Sequence, residues 1–104
     1  MSTRIFFLSR LAEGADAGEY ERWVRDIDLP VVRAIPTVIA YDVVRVEGPF
    51  RDGEVPYDYI EIIEVSDLEL YKRQLEEIPD RPAFLAAWRS LVGEVVSVRG
   101  TVVG

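Results

Sequence analysis

The sequence predicts an α+β domain of order β-α-β-β-α-β: a four-stranded antiparallel sheet with helices on one face. Three observations carry that prediction. Segments rich in β-branched and aromatic residues alternate with segments of helical periodicity in that order. Two helix starts carry an acid or hydroxyl followed three residues later by Glu. The strands are apolar at both parities, although the helices suffice to cover only one face.

Residues 3–10 read as the first strand, closed by the polar Glu13-Gly14-Ala15-Asp16 segment. Asp16 and Glu19 have the spacing of a capping box. The helix they open sets Tyr20, Trp23, Val24 and Ile27 on one apolar face. Pro30 disfavours helical geometry at Leu29, so the helix should stop or kink there, with a short further turn over residues 31–35 before Pro36. Residues 37–47 read as the second strand. Gly48-Pro49 and Arg51-Asp52-Gly53 mark a connection longer than a tight turn. Residues 56–65 read as the third strand. Ser66 and Glu69 repeat the capping-box spacing, and Leu68, Tyr71 and Leu75 continue on one helical face. The Ile78-Pro79-Asp80-Arg81-Pro82 segment interrupts that helix. A further helix sets Phe84, Leu85, Trp88, Leu91 and Val92 on one side, ends near Gly93, and gives way to a last strand over residues 94–103. No linker or low-complexity stretch divides the chain, so residues 1–104 are expected to form one domain. The order is that of the split β-α-β, or ferredoxin-like, fold.

On two-sided strands the outer face needs cover. Strand one carries Phe6 and Leu8 on one side and Ile5 and Phe7 on the other; strand four carries Val96, Val98 and Val102 against Val95 and Val103. Strand two does the same, with Ile39, Tyr41 and Val43 against Val38, Ala40, Val44 and Val46. A second copy of the chain is the simplest cover, and a homodimer is expected. A domain of 104 residues has a modest core that such burial would reinforce.

Composition removes whole classes of chemistry. The chain has no cysteine and no histidine, which excludes disulfides, thiolate catalysis and Ser-His-Asp arrangements. Asp26 and Asp28 form no recognised calcium loop, and Gly93 and Gly100 are isolated, reading as a helix stop and a strand irregularity instead of a phosphate loop. No metal or cofactor is expected. A net charge of −7 repels phosphate backbones, so no nucleic-acid partner is expected. No apolar run approaches the roughly 20 residues that cross a bilayer. The amino terminus lacks a small-residue cleavage site and reads as a strand, and the expected location is the cytoplasm.

Polar residues set into apolar strands are the candidate site. Tyr57, Tyr59 and Glu61 share one parity on the third strand, Tyr41 and Arg45 share one on the second, and Ser97 and Arg99 on the fourth. If these parities share a face, phenols, a carboxylate and guanidinium groups line it. A carboxylate among apolar neighbours acquires a raised pKa and can act as general acid or base, and a phenol can donate to a developing oxyanion. Alternatively, Glu61 and Arg45 pair across neighbouring strands and the tyrosines are core residues with wet hydroxyls. Asp28 lies close in sequence to Trp23, where the first helix is expected to break, and is the second candidate carboxylate; the alternative is a solvated acid at a helix end. Tyr20, Trp23, Phe84 and Trp88 lie on inner helical faces, as core or as the walls of a pocket for a planar ligand.

The helix bearing Trp23 and broken at Asp28-Leu29-Pro30, the Ala34-Ile35-Pro36-Thr37-Val38 lead-in to strand two, and the Tyr59-Ile60-Glu61-Ile62-Ile63-Glu64-Val65 strand followed by a capped helix resemble the dimeric α/β-barrel superfamily. Within it, the chain is most similar to the RedY/HapK-like family. The resemblance implies sheet-to-sheet pairing into a barrel, a ligand cavity between helices and sheet, and work on pigment, bis-indole or bipyrrole intermediates. Related families often carry a functional histidine near the position of Asp28; with none in this chain, histidine-dependent chemistry and histidine-ligated haem do not carry over.

The functional expectation is a cofactor-independent enzyme for a cyclisation, condensation or proton-transfer step on an aromatic or heteroaromatic intermediate of secondary metabolism. Asp28 or Glu61 would move the proton, while Tyr41, Tyr57, Tyr59 and Arg45, with Trp23, Phe84 and Trp88, would hold the hydrophobic substrate. The rival expectations are a non-catalytic small-molecule carrier dimer and a cofactor-free monooxygenase.

Overall fold

Residues 2–104 are described by the computed structural model; Met1, the first residue of the expected domain, lies outside the described residues. The elements run in the order β1 (Thr3–Leu11), α1 (Ala17–Trp23), α2 (Leu29–Arg33), β2 (Val38–Arg45), β3 (Tyr59–Val65), α3 (Leu68–Leu75), α4 (Arg81–Leu91) and β4 (Val92–Thr101). A π-helical turn, Val24–Asp28, joins α1 to α2. The sheet has the order β2-β3-β1-β4, antiparallel throughout. This is the α+β, ferredoxin-like arrangement that the alternation of segments predicts. The thinnest dimension of the molecule is 19 Å, which is one sheet and one layer of helices.

Register decides which residues meet. Glu61 on β3 stands opposite Phe7 on β1 and Val43 on β2, and Phe7 in turn stands opposite Ser97 on β4. Tyr59, Glu61, Ile63 and Val65 are buried under the helices, and Tyr41 and Ile5 join them from the neighbouring strands. The other parity faces outward: Val44, Val96 and Val98 are 45%, 48% and 50% exposed, far more than valines in a closed core.

Several local expectations change. Pro30 does not stop the helix. The Leu29 N–H bonds to the Val24 carbonyl, five residues back, and this wider turn lets the chain run on helically through Asp28 into α2 with Pro30 in its first turn. The extra residue in the turn rotates the side chains beyond it, so Ile27 is 43% exposed and Asp28 only 3%, the reverse of the regular periodicity. The cap of α3 is Asp67, which accepts from the Leu70 N–H at 2.9 Å, whereas Ser66 turns to the Thr37 carbonyl. At α1 Asp16 accepts from the Glu19 N–H at 3.0 Å, as the spacing predicts. Gly93 is not a helix stop: it lies inside β4, where a Cβ would stand 3.2 Å from the Leu11 carbonyl oxygen. Gly100 pairs regularly with Arg4; the strand irregularity lies at Ser9 and Leu11 instead. There the Leu11 N–H, lost to the ladder, is taken by Asp58 Oδ2 at 2.9 Å. Among the described residues no helix is long and apolar enough to cross a membrane.

Candidate active site

Asp28 arrives from the π-turn, Tyr41 from β2 and Glu61 from the middle of β3. All three are almost fully buried. The Tyr41 hydroxyl contacts Asp28 Oδ2 on one side and lies 2.8 Å from Glu61 Oε1 on the other. A phenol has one hydrogen to donate. It satisfies one carboxylate, and the second contact closes only when the other carboxyl carries a proton and donates to the phenol oxygen. The bridge therefore holds one proton more than two free carboxylates would.

Electrostatics agree with that count. Burial pushes Asp28 up to about 6, against the hydrogen bond from Tyr41 that favours its charged form. Burial, and then the Asp28 charge, push Glu61 up to about 7. No arginine or lysine among the described residues forms an ion pair with either acid. Burial, with both carboxylates beside it, drives Tyr41 far above the ordinary phenol range, so it serves as a neutral hydroxyl.

These three groups form the polar floor of a cavity of about 180 Å3 walled by Phe7, Tyr71, Phe84, Leu85 and Trp88. A space of ~150 Å3 holds a benzene ring, so there is room for one small aromatic ring over the acids. Trp23 does not reach this cavity. It packs on Phe84 with ring centroids 5.2 Å apart and lines the groove on the other side of that ring.

Arg45 and Tyr59 belong to a neighbouring cluster. Arg45 Nε and Nη2 hold Glu21 at 2.7 and 2.6 Å, and the Tyr59 hydroxyl donates to the same carboxylate at 2.6 Å. The Arg45 and Tyr59 hydrogen bonds hold the Glu21 carboxyl down at about 2. Arg45 thus does not pair with Glu61 across the strands. Tyr57 stands apart from both clusters, half-buried in the connection before β3. The parities do align: Tyr41, Arg45, Tyr59, Glu61, Ser97 and Arg99 all occupy the helix-covered face.

Two residues escape sequence reasoning. Glu21 gives no signal, because its partners are distant in the chain. Tyr71 has core periodicity on α3 yet walls the cavity, where burial and then the two acids raise it to about 12. Tyr20, legible as core or pocket wall, is core: its ring tilts on Tyr59 at 4.5 Å, and its hydroxyl is buried without a hydrogen-bond partner. Among the described residues no group of three or more Asp or Glu side chains is placed to hold a metal ion.

The chain matches the protein family described as REDY-like protein HapK over residues 3–103. Among solved structures it is similar to HapK from Hahella chejuensis, with 26% identity, a TM-score of 0.77, and coverage of 100% of this chain and 94% of that one. A dimeric ferredoxin-like protein of unknown function from Thermobifida fusca shares the fold at 21% identity and a TM-score of 0.73, covering 98% of this chain and 92% of that one. SnoaB, a cofactor-independent oxygenase from Streptomyces nogalater, shares it at 16% identity and a TM-score of 0.68, covering 99% and 93%. No curated protein matches the chain in sequence.

Proposed function

The chain belongs to the family of REDY-like protein HapK, and on that footing we propose a cofactor-independent enzyme of secondary metabolism that moves protons on an aromatic or heteroaromatic intermediate. The observation that carries this reading is the Asp28–Tyr41–Glu61 bridge on the floor of an apolar, aromatic-walled cavity. With one carboxyl protonated and the other ionised, the pair holds an acid and a base together. Glu61 gives its proton to one atom of the bound ring system while Asp28 takes a proton from another, which is the exchange that a tautomerisation, ring closure or condensation needs. Tyr41 then resets the pair, accepting from Asp28 and donating to Glu61. Phe84 and Trp88 hold the ring and keep water away.

The working unit in this reading is a cytoplasmic homodimer. Its support is the outer sheet face, where Val44, Val96 and Val98 stand about half exposed beside Phe6 and Leu8.

The test is product formation from aromatic and heteroaromatic precursors with purified protein, set beside Glu61→Gln and Asp28→Asn. Loss of turnover in both variants is expected. Unchanged turnover in both would remove the assignment, and binding without conversion by the unaltered protein would make it a carrier.

A further inference from the structure

The cavity over Glu61 has a neighbour. A second space of about 270 Å3 lies beneath α3, bounded at its far end by Lys72, Ser97 and Arg99. Phe7, Tyr71 and Leu75 wall both spaces, so the two adjoin side by side as a groove across the sheet. The register gives its course: Glu61, Phe7 and Ser97 stand in one row, and Ile63, Ile5 and Arg99 in the next. Neighbouring strands lie about 4.8 Å apart, so each row spans ~10 Å from β3 to β4.

The ends of the groove differ in charge. At the inner end are two acids and a phenol. At the outer end the Arg99 guanidinium makes no ion pair or side-chain hydrogen bond with any described residue, and Lys72 is held only by an exposed contact of 3.3 Å to Glu69. In a chain of net charge −7 an arginine without a carboxylate partner, at the end of an apolar groove, is a place for a ligand's anion.

We propose that the groove binds an aromatic or heteroaromatic acid, with its ring over Asp28 and Glu61 and its carboxylate, some two strands away, on Arg99 and Lys72. This deepens the proposed function and rests on it for the ring's position. The arrangement fixes orientation: the buried acids repel a carboxylate, so the anionic end is driven to β4 and the reacting ring to β3.

The test uses 3-phenylpropionate against 3-phenylpropionamide, which share a ring and differ in charge, titrated into the full chain while the Trp88 indole resonance is followed by NMR. The acid is expected to bind at least about tenfold tighter than the amide, the worth of one charge-assisted hydrogen bond. Arg99→Gln, an exposed position that leaves the fold intact, should abolish that preference without changing amide binding. Lys72→Gln should reduce it. Equal binding of acid and amide, or a preference that survives Arg99→Gln, would overturn the anion site while leaving the aromatic cavity standing. If neither compound moved the Trp88 signal, the cavity reading and the anion site would fall together.

Discussion

The Tyr41 hydroxyl lies 2.8 Å from Glu61 Oε1, and its opposite side is already in contact with Asp28. One phenolic hydrogen between two buried acids draws a second proton into the bridge, because two ionised carboxylates in an apolar cavity without a cation repel each other. This contact connects strand register to acid–base chemistry. Glu61 is in the middle of β3, Tyr41 reaches over from β2, and Asp28 is turned inward by the widened helical turn.

Stability should fall as pH rises towards neutrality. Glu61 ionises at about 7 and Asp28 at about 6 in the folded chain, against ordinary values of 4.5 and 3.8. The folded state therefore keeps protons that the unfolded state has released. Their contribution is fully present below about pH 4 and is lost as pH climbs through about 7, by roughly 3 kcal/mol for Glu61. Urea midpoints at about pH 5 and pH 8 check this, with the higher midpoint expected at pH 5. The Asp28→Asn, Glu61→Gln double variant should flatten the difference. Glu21 works in the opposite sense: its carboxyl is held at about 2, so its contribution disappears only as pH falls from about 4.5 towards that value.

Tyr41→Phe should cost about 1–3 kcal/mol at neutral pH, because both acids lose their shared partner inside the cavity. It should also push the pKa of both acids further up, since the hydrogen bond from Tyr41 favours their charged forms. Denaturation at two pH values separates the effects: the variant's loss should shrink in acid, where both carboxyls are protonated.

Tyr20→Phe should do the reverse. The Tyr20 ring is fully buried and its hydroxyl has no partner. Removing that oxygen while keeping the ring should raise the urea midpoint, by about 1 kcal/mol of stability. A lower midpoint would mean that the hydroxyl is held by water or another group.

The fates of Tyr20, Asp28 and Glu21 mark how far the sequence could be read. Alternation within strands placed Tyr41, Arg45, Tyr59 and Glu61 on shared parities, and the backbone then aligned them, because a pleat has a fixed period of two. Helical periodicity failed at Ile27 and Asp28, since it assumes a regular turn and a π-turn adds one residue that no local signal announces. Pro30 was legible as a constraint, but not the way the chain relieves it. Glu21 was illegible for a different reason. Its meeting with Arg45 and Tyr59 depends on how α1 lies across the sheet, and patterns along one element carry no information about that. Tyr71 reads as core because a cavity wall and a core have the same apolar periodicity.

The outer sheet face should bind a second copy. Size-exclusion with light scattering at micromolar concentration should return twice the monomer mass of 11.8 kDa. Replacing Val96 and Val98 together by Lys should yield a soluble monomer, since both project from the exposed face of β4. A monomeric unaltered protein would leave that face without a partner and count against the dimer.

The central claim is that Asp28, Tyr41 and Glu61 share a proton near neutrality. The most direct measurement is a pH titration of the carboxyl carbons of Glu61 and Asp28 by carbon-13 NMR, assigned with Glu61→Gln and Asp28→Asn. The account predicts that both titrate above the ordinary carboxylate range, with one midpoint close to neutral pH and each moved when the other is replaced by its amide. Two independent midpoints near pH ~4, the ordinary carboxylate value, would contradict it.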